Sequence, residues 1–246
     1  MWRIEGFQAS LSTPTLSARV NLRHPERGLT DVVWLNVPLA DARLMQVQLS
    51  SAGANQHLEE SYVRGVDLVT SHGAASGHSL DTQVYWRYVE HADLGAAGVE
   101  LIVSVRTELS QADSCLFFGS ELSCRELMQA VAPDARGFQS CRVPSAFAEQ
   151  SVHREGVGLF IHRLNGNAVS YVEMVHPADF SSAQFAVGGE TAQCVQSRFH
   201  LFEQRLEKGV IRRARARGLL CPREGDEMVA REGYLRLLAS EWPLTA

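Results

Sequence analysis

Two stretches decide the fold: Thr82–Glu90, TQVYWRYVE, and Val99–Thr107, VELIVSVRT. In the first, Val84, Trp86 and Tyr88 fall on one face, and Tyr85, Arg87 and Val89 on the other. Such two-residue alternation, dense in β-branched and aromatic side chains, is the signature of extended chain. The eight residues between them, HADLGAAG, are turn-forming. Upstream, Tyr62–Thr70 reads as a third strand, joined by the Gly- and Ser-rich link Ser71–Asp81. The three form an antiparallel meander.

The same period runs outward in both directions. Trp2 to Gly6, Leu16 to Leu22, Asp31 to Val37 and Met45 to Leu49 read as strands, and Ser114–Leu122 as another. Cys124–Val131 is ambiguous, with Leu127, Met128 and Val131 at helical spacing. Val157–Leu164 and Ala168–Val175 flank Asn165-Gly166-Asn167, a hairpin signal. Thr191–Lys208 has helical spacing through Cys194, Val195, Phe199, Phe202 and Leu206, with Thr191 and Gly209 as caps. Val210–Leu220 reads as a strand, because a helix would spread arginine around its circumference. Asp226–Leu238 reads as a last helix.

Strands in meander order with few helices bury their apolar faces only sheet against sheet. The expectation is a mainly β chain: one large antiparallel β-sandwich domain over 1–246, with two C-terminal helices near 191–208 and 226–239. In length and strand content the chain resembles, at the level of fold alone, the galactose mutarotase-like supersandwich proteins. That resemblance implies a histidine, a carboxylate and arginines in a shallow cleft on a concave sheet.

Composition bounds the function. The 246 residues are 45% hydrophobic and carry a formal net charge of −5, which argues against general nucleic-acid binding. Charge is uneven: Arg205–Arg217 holds six cations against Glu207 alone. Lys208 is the sole lysine, as expected from an arginine-biased genome or from selection for bidentate contacts. Five cysteines without paired spacing, and no apolar leader, predict reduced thiols in a cytoplasmic protein. No run of 18 apolar residues predicts a membrane span. No G-x-S-x-G occurs, and Gly156-Val157-Gly158 lacks the third glycine of a dinucleotide loop. No metal box or cofactor motif is present.

Four groups carry chemistry. Arg213, Arg215 and Arg217 would share a strand face at intervals of about 7 Å. They need anions, either a bound ligand or carboxylates on neighbouring strands. Trp86 and Arg87 suit a sugar-stacking platform, or core packing. His72 and His78 lie in a loop flanked by Asp67 and Asp81, and suit acid–base work or a mobile connection. Glu173, with His72 or His162, is the carboxylate for an acid–base pair. Glu173 and His176 fall on opposite strand faces.

The leading expectation is a carbohydrate or small anionic polyhydroxylated ligand held by Trp86, Arg87, Arg213, Arg215 and Arg217. A second is a sugar isomerase or hydrolase using Glu173, His72 and His162. A third is a scaffold that self-associates through sheet edges or terminal helices into a homo-oligomer.

Overall fold

The computed structural model describes residues 1–49, 57–73, 80–143, 157–166, 168–188, 194–202 and 205–241, and the backbone of 152–153. Strands dominate. In chain order they begin β1 (Trp2–Glu5), β2 (Gln8–Ser12), β3 (Leu16–Asn21), β4 (Leu29–Trp34), β5 (Val37–Pro38) and β6 (Arg43–Gln48). Next come β7 (His57–Arg64), β8 (Asp67–Gly73), β9 (Asp81–His91), β10 (Ala96–Arg106), β11 (Gln111–Asp113), β12 (Leu116–Ala130) and β13 (Phe138–Cys141). The series ends with β14 (Val152–His153), β15 (Leu159–Leu164), β16 (Val169–Val175), β17 (Ser182–Gly188), β18 (Cys194–Leu201), β19 (Arg205–Glu207) and β20 (Arg212–Pro222). One α-helix, α1 (Asp226–Ala239), follows.

Among the described residues all the pairings are antiparallel, and apart from a separate two-stranded ladder of β11 with β19 they make two layers. The large layer runs β7-β8-β9-β10-β20-β16-β15-β12-β13. The facing layer runs β1-β2-β3-β4-β6-β12-β18-β17-β14, with β5 beside β4. Strand β12 belongs to both. Leu116–Ser123 pairs in the facing layer, and Cys124–Gln129 pairs with β15 in the large one. Residues from both layers bury one shared core, among them Trp34, Val47, Phe118 and Phe199 against Trp86, Leu101, Val103 and Tyr171. This is the antiparallel sandwich that period-two spacing demands. Helix α1 covers part of the outer face of the large layer, seating Val229, Ala230, Tyr234 and Leu237 on Leu159, Ile161, Val172, Met174 and Leu219.

Two local expectations need correction, and one ambiguous stretch is resolved. The helix predicted over 191–208 is extended chain instead, as β18 and β19; its Thr191 cap lies outside the described residues. Alternate residues Val195, Ser197, Phe199 and Leu201 are buried, and β12 and β17 flank them with two full ladders. A strand wanted on both sides outweighs a helical spacing that left Leu201 unused. Cys124–Val131 is likewise extended as far as Ala130, the second half of β12. The strand read over Tyr62–Thr70 is two strands, β7 and β8, that turn at Gly65 with φ of 60°. The 226–239 helix, the β15–β16 hairpin and the strand through the arginines stand as expected.

Close packing of β10 against β20 depends on glycine. A Cβ at Gly98 would sit 1.8 Å from the Gly218 carbonyl oxygen. Backbone, unlike a flexible side chain, cannot swing away. Gly98→Ala is therefore expected to cost about 2–3 kcal/mol in urea unfolding, with an unchanged m-value. Wild-type stability in that variant would refute the contact.

Candidate functional site

The outer face of the large layer is built in rows, because each crossing strand contributes every second residue. Asp67, Arg87, Glu100 and Arg217 form one row across β8, β9, β10 and β20. Signs alternate along it. Arg87 donates through Nε and Nη2 to both Asp67 oxygens, at 2.8 and 3.0 Å, and its Nη1 is 4.0 Å from Glu100. Arg217 donates through Nε to Glu100 Oε2 at 3.0 Å, and its Nη2 donates to the same oxygen. Hydrogen bonding to Asp67 raises Arg87 above its ordinary value, against burial. Two of the arginines predicted for a ligand are thus neutralised by carboxylates of neighbouring strands, with Arg217 and Glu100 buried.

The next row is Val69, Tyr85, Ile102 and Arg215. The first three form an apolar cluster with Tyr62. Arg215 is buried and turned to the end of α1, donating to Ser240 Oγ at 2.8 Å and to the carbonyls of Ser240 and Glu241 at 3.3 and 3.2 Å. A cation at a helix C-terminus meets its dipole and its unpaired carbonyls. Arg215 is a clasp for the helix.

Beyond lies Ser71, Gln83, Ser104 and Arg213, and this row opens into a cleft of about 390 Å³. Glu59, Glu60, His72, Asp81, Arg106 and Ile211 complete its walls. Gln83 is oriented on both sides: its amide donates to Ser71 Oγ at 3.3 Å and accepts from Tyr85 OH at 2.6 Å. Asp81 holds Arg106 Nε at 3.0 Å. Gly73 leaves the space that the Glu59 carboxyl occupies, which a Cβ there would enter. His72 is buried with Nε2 3.1 Å from Thr70 Oγ1. Burial lowers its pKa to about 4, so the ring is neutral at pH 7. The cleft offers hydroxyls, an amide, carboxylates and two guanidinium groups.

Trp86, His162 and Glu173 lie between the layers. Trp86 is fully buried in the shared core, and Tyr85, on the opposite face, is buried too, packed with Val69 and Ile102, so neither ring is an open platform. Position 86 carried the largest ring, and core volume claims large rings first. His78 lies outside the described residues. His162 and Glu173 do meet, with Nε2 3.4 Å from Oε2, but both are fully buried. His72 is not with them; it belongs to the cleft. Glu173 Oε1 accepts from Ser120 Oγ at 2.6 Å, and that hydroxyl also accepts the Met45 N–H at 3.1 Å and lies 3.2 Å from Tyr171 OH. Ser120, Tyr171 and Met45 escaped sequence reading; only the shared strand face of Tyr171 and Glu173 hinted at them. Burial would lower the His162 pKa, but its approach to Cys124 and Glu173 outweighs that and raises it to about 9.

A larger groove, about 990 Å³, opens on the facing layer along Thr30–Val33, Pro38–Arg43, Glu121, Ser123 and Cys194. It is mostly small side chains and turn backbone, with Glu121 between Arg43 at 3.6 Å and the Cys194 thiol at 3.7 Å. Convergent polar side chains favour the smaller cleft as the ligand site.

Solved structures share this architecture. A galactose mutarotase-related enzyme from Lactobacillus acidophilus superposes with a TM-score of 0.57 at 6% identity, over 87% of this chain and 97% of that one. A Klebsiella pneumoniae protein described as an aldose 1-epimerase candidate gives 0.55 at 8% identity, over 99% and 90%. The fold is that of the galactose mutarotase-like proteins. A GH36 α-galactosidase from Geobacillus stearothermophilus also matches, with a TM-score of 0.51 at 10% identity over 88% of this chain, which spans only 41% of that enzyme. No protein-family model matches the sequence, and no curated protein matches it either. Among the described residues, no helix is long and apolar enough to cross a membrane, and no cluster of three metal-ligating side chains occurs.

Two measurements check this electrostatic layout. Glu100→Gln leaves the buried Arg217 without its counter-charge and is expected to cost about 3–5 kcal/mol in chemical unfolding. A loss below 1 kcal/mol would mean that the ladder is solvated. The raised His162 has a definite sign: its contribution is complete below the unfolded value of 6.5 and is lost as pH rises toward 9. Unfolding free energy should fall by about 3 kcal/mol between those limits, and His162→Gln should flatten the slope. An identical slope in that variant would remove the charged imidazole.

Proposed function

We propose that the protein binds a neutral carbohydrate in the cleft on the outer face of the large layer. The observation that carries this is the row Ser71, Gln83, Ser104 and Arg213, held in register by four strands and opening into the cleft. Hydroxyl, amide and guanidinium groups at regular spacing suit the hydroxyls of a pyranose ring. A volume of about 390 Å³ falls in the range of small-ligand sites. Neutral sugars fit better than anionic ones. Arg87 and Arg217 are paired with carboxylates, and Arg106 is paired with Asp81. The galactose mutarotase-like fold supports a carbohydrate ligand, since its solved members here include proteins named for aldose epimerisation and galactoside chemistry.

A second reading, sugar-ring isomerisation by acid and base, is favoured by one feature. His72, a neutral imidazole, lines the same cleft as Glu59, Glu60 and Asp81. Like Glu173 and His162 it is buried, but unlike them it reaches the wall of a cleft.

Titration calorimetry against neutral and acidic mono- and disaccharides tests the proposal. At least one neutral sugar should bind, Gln83→Ala should weaken it about tenfold, and Arg43→Ala in the opposite groove should leave it unchanged. A flat panel, or equal losses from both variants, overturns it. Accelerated anomer exchange by NMR, abolished in His72→Ala, would decide for the enzymatic reading.

A further inference from the structure

Five cysteines were indistinguishable in sequence, and the structure separates them. Cys221 is buried against the Ser170 carbonyl, 3.8 Å away. Cys194 faces the Glu121 carboxylate, and burial together with that charge raises its pKa to about 11. Cys124 has a different neighbour. It is the first β12 residue paired in the large layer, opposite Leu164 of β15. His162 lies two residues back on β15, on the same inward face, so thiol and imidazole are diagonal neighbours on adjacent strands. Beyond the imidazole lies Glu173 at 3.4 Å. The order is thiol, imidazole, carboxylate, on three consecutive strands of one sheet.

Packing does not explain this arrangement. Among the described residues, neither His162 ring nitrogen nor Glu173 Oε2 has a partner in good hydrogen-bond geometry, and all are buried. Each such group costs about 1–3 kcal/mol, which leucine or phenylalanine at these positions would avoid. A buried base beside a thiol is instead the arrangement that activates sulfur.

The geometry points to Cys124 as a peroxide-reactive thiol, with His162 as its proton-transfer partner and Glu173 as the group that orients the ring. The reagent is small because the site is closed to anything larger. On the other side of the strand, the neighbouring Ser123 and Cys194 line the 990 Å³ groove, so one strand's thickness separates the thiol from solvent. In the step, Cys124 sulfur attacks one oxygen of a hydroperoxide and the O–O bond breaks. His162 gives its proton to the leaving oxygen and takes the thiol proton in return. Sulfur is oxidised by two electrons to a sulfenic acid, and the hydroperoxide is reduced to water or an alcohol. No part of this depends on the carbohydrate cleft.

The test exposes the folded full chain to one equivalent of hydrogen peroxide, removes the residual peroxide with catalase, unfolds the chain in urea containing dimedone and maps the labelled peptides. The adduct should form on Cys124 ahead of the more exposed Cys115, Cys141 and Cys194. His162→Gln, checked for folding by near-ultraviolet circular dichroism, should slow it about 100-fold. Labelling in order of exposure, Cys124 labelling only when the peroxide itself is added in urea, or a rate unchanged in a folded His162→Gln overturns the proposal. If that variant does not fold, the labelling order in the wild-type chain decides alone.

Discussion

Everything in this fold depends on one strand serving two layers. β12 is 15 residues long, and its two halves hydrogen-bond to different sheets. A strand can do that only if the ladder bends between them, and the register slips at Gly119–Glu121 against β6 and at Cys124–Glu126 against β15. The bend places Ser120 between the layers. Its N–H donates to Ser197 Oγ at 2.8 Å in one layer, and its hydroxyl donates to Glu173 in the other. A buried carboxylate is tolerated only when something answers its charge, and here His162 and Ser120 do so from two directions. Met45, with a left-handed φ of 59°, turns its N–H to the same hydroxyl.

Once the layers are joined, the strand period determines what the outer face displays. Successive rows across β8, β9, β10 and β20 are polar, apolar and charged, two residues apart on every strand. The charged row neutralises itself, the apolar row supplies tyrosines, and the polar row lines the cleft. Helix α1, clasped by Arg215, covers the face beyond them. One sheet surface thus holds a ligand-sized recess and a sealed region without any insertion to build them.

Much of this was legible in the sequence, because alternation is a local property. The meander, the hairpin at Gly166, the strand through Arg213 and Arg217, and the last helix follow from residue order alone. The misreadings share a physical cause. Cys194–Leu201 fits a helix at some positions and a strand at others, and two flanking ladders settle it. Trp86 suits a sugar platform or the core equally well by spacing, and which face of a strand looks inward is fixed by the partner sheet. Carboxylates of β8 and β10 answer the arginines, and no spacing along the chain reveals that Glu100 is opposite both Arg87 and Arg217. For the same reason Cys124 was indistinguishable from the other thiols until β15 was laid beside β12.

The central claim is that the two layers are a single cooperative unit joined at β12 and Ser120. Native-state hydrogen exchange tests it most directly. Amides of Phe118–Leu122, Val47 in the facing layer and Tyr171–Glu173 in the large layer should open with the same free energy and the same denaturant dependence, equal to those of global unfolding. If the facing layer opens at substantially lower free energy while β16 and β20 stay protected, the layers are independent and the claim fails.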